Sequence, residues 1–158
     1  MATLDDIEQA GGLIRFDGNL EADEMPERAL WHTPEYEAWI GDVLNLYAGT
    51  GRKKITPSDE VYSLSIDFIL GRPMAYNVDL KKLDPIGHCA WEMKTAEVRV
   101  FGYFYLKSNF IAHHGEMKSN LKNNRNYAPH VQRVVEYMKS VDLDPPPCLT
   151  ATRLPDVL

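Results

Sequence analysis

Arg99, His114 and Lys118 fall close together in the second half of a 158-residue chain, and their types are chemically complementary. A guanidinium clamps a phosphate through two parallel hydrogen bonds. An imidazole titrates near pH ~6.5, so it takes or gives a proton at neutral pH. An ammonium adds a fixed positive charge where an oxyanion develops. Metal-free cleavage of a phosphodiester next to a 2′-hydroxyl needs a base, an acid and such cations, and one proton-transfer group is typically worth roughly 10²–10⁴-fold. Arg99, His114 and Lys118 can supply such groups and are the candidate catalytic residues, singled out mainly by the motifs quoted below.

Four further residues are candidates for holding RNA. Lys94 closes a short apolar run just before Arg99, which sets it across a hairpin from that arginine. Lys122 and Arg125, interleaved with Asn123, Asn124 and Asn126, form a polar basic loop suited to a phosphate backbone. Tyr127 can stack on a base or serve as an acid, and a core position suits it equally well. His113 alternates to the opposite face from His114 on a regular strand, so only His114 is expected to line the site. No metal site and no cofactor are expected. Adjacent strand histidines do not easily share one ion, and the chain has no phosphate-binding glycine loop, GxSxG, HExxH or paired CxxC.

The elements that must position these residues are marked by start signals and periodicity. Thr33-Pro34 caps and opens a helix carrying Tyr36, Trp39, Ile40, Val43, Leu44 and Tyr47 on one stripe, ended by Gly49. Thr56-Pro57 opens a second helix with Val61, Leu64, Phe68 and Ile69 on its apolar side, up to Gly71. Ala90–Lys94, Glu97–Tyr105 and Phe110–His114 read as strands, and the short turns between them predict an antiparallel meander. Pro129 opens a last helix with Val131, Val134, Val135 and Met138 facing one way. Leu13–Phe16 and Leu30–His32 can form short strands. The prolines at 145–147 stop regular structure, and the last ten residues are expected to be a loose tail.

The net charge is −6, but it is unevenly spread. Residues 1–37 hold ten acids and two bases, whereas residues 81–139 hold ten bases and five acids. This asymmetry suggests that the second half meets an anion, while the first repels one, covers the site or packs as an edge strand through Leu13–Phe16; two differently solvated faces are the alternative. No apolar run reaches the roughly 18 residues of a membrane span, and Met1–Glu8 lacks a basic-then-apolar leader. Cys89 and Cys148 have no metal spacing, so a cytoplasmic protein with reduced thiols is expected.

Five segments, in order, resemble the HigB-like branch of the RelE/ParE superfamily of bacterial toxins, a branch that includes phage-derived proteins. Gly71-Arg72-Pro73 is similar to its GxP, Leu80-Lys81-Lys82-Leu83 to its LKxL, and Trp91-Glu92-Met93-Lys94 to its WELR. Val98-Arg99-Val100-Phe101 resembles the arginine-bearing YRVxF strand, and His114–Lys118 resembles HxFxK with Glu116 at the aromatic position. The resemblance implies an α+β fold in which an N-terminal helical hairpin packs on a small antiparallel β-sheet, followed by a C-terminal helix. It divides the chain into an acidic extension (1–29), a toxin domain (30–143) and a proline-rich tail (144–158). It implies a type II toxin that cuts mRNA on the ribosome without a metal, restrained by a cognate antitoxin protein. A non-catalytic binding module of phage or mobile-element origin is the alternative, because fold does not fix function.

Overall fold

The computed structural model describes residues 1–49, 54–85, 88–121 and 126–158. In chain order the elements are α1 (Leu4–Gln9), β1 (Ile14–Arg15), β2 (Ala29–His32), α2 (Pro34–Asp42), α3 (Pro57–Ile69), β3 (Leu80–Lys82), β4 (Trp91–Lys94), β5 (Val98–Leu106), β6 (Asn109–Met117), α4 (Tyr127–Ser140) and α5 (Leu154–Val157). The threonine–proline starts form as their chemistry demands. The Thr33 hydroxyl accepts from the Tyr36 amide, and Thr56 makes a reciprocal capping box with Asp59. The stripe after Thr33 does not stay helical up to Gly49: α2 stops at Asp42, and a 3-10 turn follows at Leu44–Leu46. Leu44 still reaches the core, but Tyr47 is exposed.

The six strands form one mixed sheet in the order β1-β2-β6-β5-β4-β3. β3, β4, β5 and β6 are antiparallel to their neighbours, as the meander requires, while β2 lies parallel to β6 with Trp31 opposite Ile111. Every residue of β5 from Val98 to Tyr105 is buried, so this strand needs cover on both faces. One face packs against α1 and α4 through Leu4, Phe101, Tyr103, Ile111, Val131, Val134 and Met138. The other packs against α2, α3 and α5 through Tyr36, Val61, Phe68, Trp91, Phe104, Phe110 and Val157.

This architecture corrects the expected fold. The sheet is six-stranded and mixed, with helical layers on both faces, not a small antiparallel sheet under an N-terminal helical hairpin. The reason lies in β1 and β2 and in the C-terminal segment. Ala29–His32 is buried at all four positions, so it carries no alternation that marks it as part of the same sheet. The acidic N-terminal residues contribute β1 as an edge strand on β2, with β2 and β6 between it and the strand that carries Arg99.

The C-terminal residues are not loose. The Leu149 amide donates to the Phe104 carbonyl at 2.9 Å, the Ser108 amide donates to Val157 at 2.7 Å, and Val157 is fully buried. Cys89 and Cys148 are joined in a disulfide where reduced thiols were expected, their Cα atoms 6.5 Å apart. Sequence spacing does not reveal a pairing between residues this distant along the chain. No helix among the described residues is long and apolar enough to cross a membrane.

A β-bulge between β5 and β6 decides what the sheet presents. Phe101 pairs with His114, but the next residue, Gly102, pairs with Ala112, leaving His113 as the extra residue. A Cβ at Gly102 would collide with the Ile111 carbonyl oxygen and the Phe110 ring. Gly102→Ala is therefore expected to cost about 1–3 kcal/mol, read from urea unfolding, whereas Leu106→Ala at the exposed hairpin end should stay within about 0.5 kcal/mol. Equal stability of the two variants would show that the bulge tolerates a side chain.

Candidate functional site

Polar residues gather where the α4-side face of β4, β5 and β6 meets the start of α4. Cross-strand register sets Lys81 opposite Glu92, Glu92 opposite Phe101 and Phe101 opposite His114. One pair further along, Lys94 lies opposite Arg99, and Arg99 opposite Glu116. The Lys94–Arg99 juxtaposition is as the sequence predicted.

Glu92 is the electrostatic centre of this face. It is 2% exposed, and its Oε2 stands 3.9 Å from Arg99 Nε. Neither of these two atoms has a hydrogen-bond partner, although both are buried. Burial pushes the Glu92 carboxyl above the usual carboxylate range, against the opposing pull of Arg99, Lys94, Lys81 and the Tyr127 hydroxyl. The Arg99 Nη1 is already engaged, donating to the Thr95 and Val98 carbonyls at 2.6 and 3.0 Å. A cavity of 240 Å³ opens over Glu92, and Lys81, Asp84, Lys94 and Tyr127 also line it. Burial lowers the Lys94 ammonium, with Arg99, Lys81 and Lys118 adding to the effect and Glu92 resisting it. Burial raises the Tyr127 hydroxyl, and the Glu92 charge raises it further, so it stays a donor at neutral pH. A second opening of 370 Å³, lined by Arg15, Trp31 and Tyr105, lies near β1 and contains none of these groups.

The histidines form a second arrangement beside the first. Because of the bulge, His113 and His114 contact each other, their Nδ1 atoms 2.7 Å apart, where strict alternation predicted opposite faces. His114 Nε2 meets His130 Nδ1 of α4 at 2.8 Å. His113 Nε2 meets the Glu35 carboxylate at 3.0 Å, and Arg133 holds the other Glu35 oxygen at 2.5 Å. Glu35 can reach this face because β2 stops at His32, opposite Ala112, and α2 continues beside the rest of β6. The rings are wedged by stacking: His114 and His130 lie on Phe101 with centroids 5.1 and 4.5 Å away, and Tyr127 stands edge-on to the same ring at 5.8 Å. Burial is the largest influence on all three histidines and lowers each of them, His114 to about 2.

Of the residues singled out from sequence, Arg99, Lys94, His114 and Tyr127 share this face. Arg99 and His114 are buried, whereas Lys118 is exposed in the 3-10 turn after β6. Lys122 and Arg125 lie outside the described residues. The sequence reading passed over Glu92, Lys81, Glu35 and His130. His130 was the most accessible of them to sequence, since Tyr127, His130, Val134 and Tyr137 recur on one side of α4. Glu35 had no sequence signal, because its contact depends on where β2 ends. Among the described residues no group of three or more His, Cys, Asp and Glu side chains is arranged to hold a metal ion. No protein-family model matches the chain, and neither the curated proteins nor the solved structures contain a match.

The buried imidazoles couple stability to pH. His114 stays neutral in the fold, while the unfolded chain takes up a proton at each histidine near pH ~6.5. The native state then binds fewer protons, so stability is complete above that pH and falls as the pH drops through it. The expected slope for His114 is about 1.4 kcal/mol per pH unit below pH ~6. Urea unfolding at pH 7.5 and 5.5 should show the loss, and His114→Gln should reduce it, leaving the shares of His32, His113 and His130. A variant with the parent's pH dependence would mean that His114 titrates freely in the fold.

Proposed function

We propose that the chain is a metal-independent endoribonuclease whose site is the cavity over Glu92. The observation that carries this reading is the pair of buried, unpartnered atoms, Glu92 Oε2 and Arg99 Nε, beside a cavity lined by Lys81, Lys94 and Tyr127. A raised carboxyl among fixed cations suits an acid working on an anionic ester. In the reaction, a 2′-oxygen attacks the adjacent phosphorus as its proton leaves to a base. The P–O5′ bond breaks, and Glu92 protonates the departing 5′-oxygen. The products are a 2′,3′-cyclic phosphate and a 5′-hydroxyl. Lys81, Lys94 and Arg99 offset the charge on the phosphorane oxygens, and the Tyr127 ring offers a stacking surface to a base. The resemblance of residues 71–118 to HigB-like toxins supports mRNA on the ribosome as substrate and an antitoxin protein as partner.

Binding without cleavage is the second reading. It is favoured by the depth of Arg99, which is 7% exposed and already hydrogen-bonded to two carbonyls. Incubation of the pure protein with single-stranded RNA and with translating ribosomes, followed by mapping of RNA ends, separates the two. Cleavage should leave cyclic phosphate ends, and Glu92→Gln should slow it by roughly 10²-fold or more. Lys94→Ala should weaken RNA binding and reduce its salt dependence. RNA that binds yet stays intact favours the binding module, and the absence of any binding overturns both readings.

A further inference from the structure

We infer that the Cys89–Cys148 disulfide is a redox clasp that, while closed, holds the C-terminal segment across the edge of β5 and fixes one wall of the cavity over Glu92. The segment changes sides of the sheet at this bond. Leu143 and Cys148 belong to the core on the α4 side, whereas Leu149, Ala151, Leu154 and Val157 pack into the core on the α3 side. The crossing point is open because β4 begins only at Trp91, opposite Gly102. Further along β5, Phe104 has β6 on one side, and its carbonyl accepts from the Leu149 amide at 2.9 Å.

Little else ties the segment down. Pro145, Pro146 and Pro147 have no amide hydrogen to donate. From Pro145 onward, the backbone makes two hydrogen bonds to the rest of the fold among the described residues. One is Leu149 to Phe104, and in the other the Val157 carbonyl accepts from the Ser108 amide at 2.7 Å. Beyond them stand the buried side chains of Leu154 and Val157, on a helix of four residues. A cross-link stabilises chiefly by restricting the open ensemble, and here it restricts a segment with few other anchors.

The other half of the bond acts on the cavity. Cys89 lies near the end of the connection from β3 to β4, and Leu83 and Asp84 at the start of that connection line the cavity. The Leu83 amide donates to the carbonyl of Ala90, the neighbour of Cys89, at 2.9 Å. Cys89 has φ +57°, a left-handed backbone that a residue with a side chain holds only where its surroundings impose it. Opening the clasp lets this turn relax, and the Ala90 contact passes the change to Leu83.

Reduction opens the clasp by exchange with a dithiol. A reagent thiolate attacks Cys148 Sγ, on the more exposed of the two residues, and the departing Cys89 thiolate takes a proton. The reagent's second thiolate attacks the reagent sulfur bound to Cys148, closes a cyclic disulfide and releases Cys148. Two electrons pass to the clasp, one S–S bond replaces another, and the reagent's two thiol protons end on Cys89 and Cys148. Both cysteines are buried, so exchange needs the segment to lift, and bond and segment open together. On the proposed cleavage reading, on which this step rests, the clasped form cuts RNA and a reducing compartment keeps the protein off.

Amide hydrogen exchange of the full chain, oxidised and after dithiothreitol, tests the clasp without any RNA. The Leu149, Ser108 and Leu83 amides should each exchange roughly 30-fold faster or more once the bond is open. The Thr33 amide, which donates to Ala112 at 3.1 Å, should stay protected. A Cys89→Ser/Cys148→Ser double variant should match the reduced protein and ignore dithiothreitol. Unchanged exchange at Leu149 and Ser108 overturns the clasp, and unchanged exchange at Leu83 alone overturns its link to the cavity. Equal acceleration at Thr33 would make the bond a global staple and overturn the local device. In the cleavage assay the reduced protein and the double variant should lose about 10-fold or more in rate, and equal rates overturn control of the site. The expected exchange pattern in a protein that cuts no RNA in either state would uphold the clasp and sink the nuclease reading.

Discussion

Burial of β5 on both faces, and of nearly all of β6 beside it, is the constraint on which the rest of the structure depends. A strand with no wet face needs two covering layers, and the chain supplies α1 and α4 on one side and α2, α3 and α5 on the other. The β5–β6 pair also needs both its edges filled, which β4 and β2 do. Most polar side chains in the middle of β4, β5 and β6 are then held between layers. Glu92, Arg99, His113 and His114 are all under 10% exposed for that reason, and each must find a partner or a ligand or leave a buried polar atom unsatisfied.

The local features were legible in the sequence. Threonine–proline caps, the apolar stripe of α4 and the β4-β5-β6 meander depend on neighbours along the chain, and the Lys94–Arg99 pairing follows from a short turn. What was not legible depends on distant partners. The parallel β2–β6 ladder, the three residues of β3, the Cys89–Cys148 disulfide and the packed C-terminal segment have no local signature. The candidate site divides the same way. Arg99 and His114 follow from motif and alternation, but one inserted residue at the bulge defeats alternation and brings His113 back to the same cluster. Glu92 stood within a quoted motif and gained its significance only once burial and three nearby cations were known.

The uneven charge along the sequence also has a spatial counterpart. Acids of the first 29 residues sit on α1 and between β1 and β2, strands that β6 separates from β5. The exception among the early acids is Glu35, which reaches around the end of β2 to His113.

The parallel pairing of β2 with β6 has a consequence for how the protein is made. Leu30 and Trp31 leave the ribosome long before Phe110 and Ile111, the residues that will lie beside them. Throughout that interval a short apolar segment has no strand to join, and the helices made next, α2 and α3, have no sheet to cover. Non-local contacts of this kind form slowly and leave hydrophobic surface open in the meantime. The nascent chain thus passes most of its synthesis with Trp31 exposed, a state in which a molecular chaperone or a neighbouring nascent chain competes with β6 for the same edge.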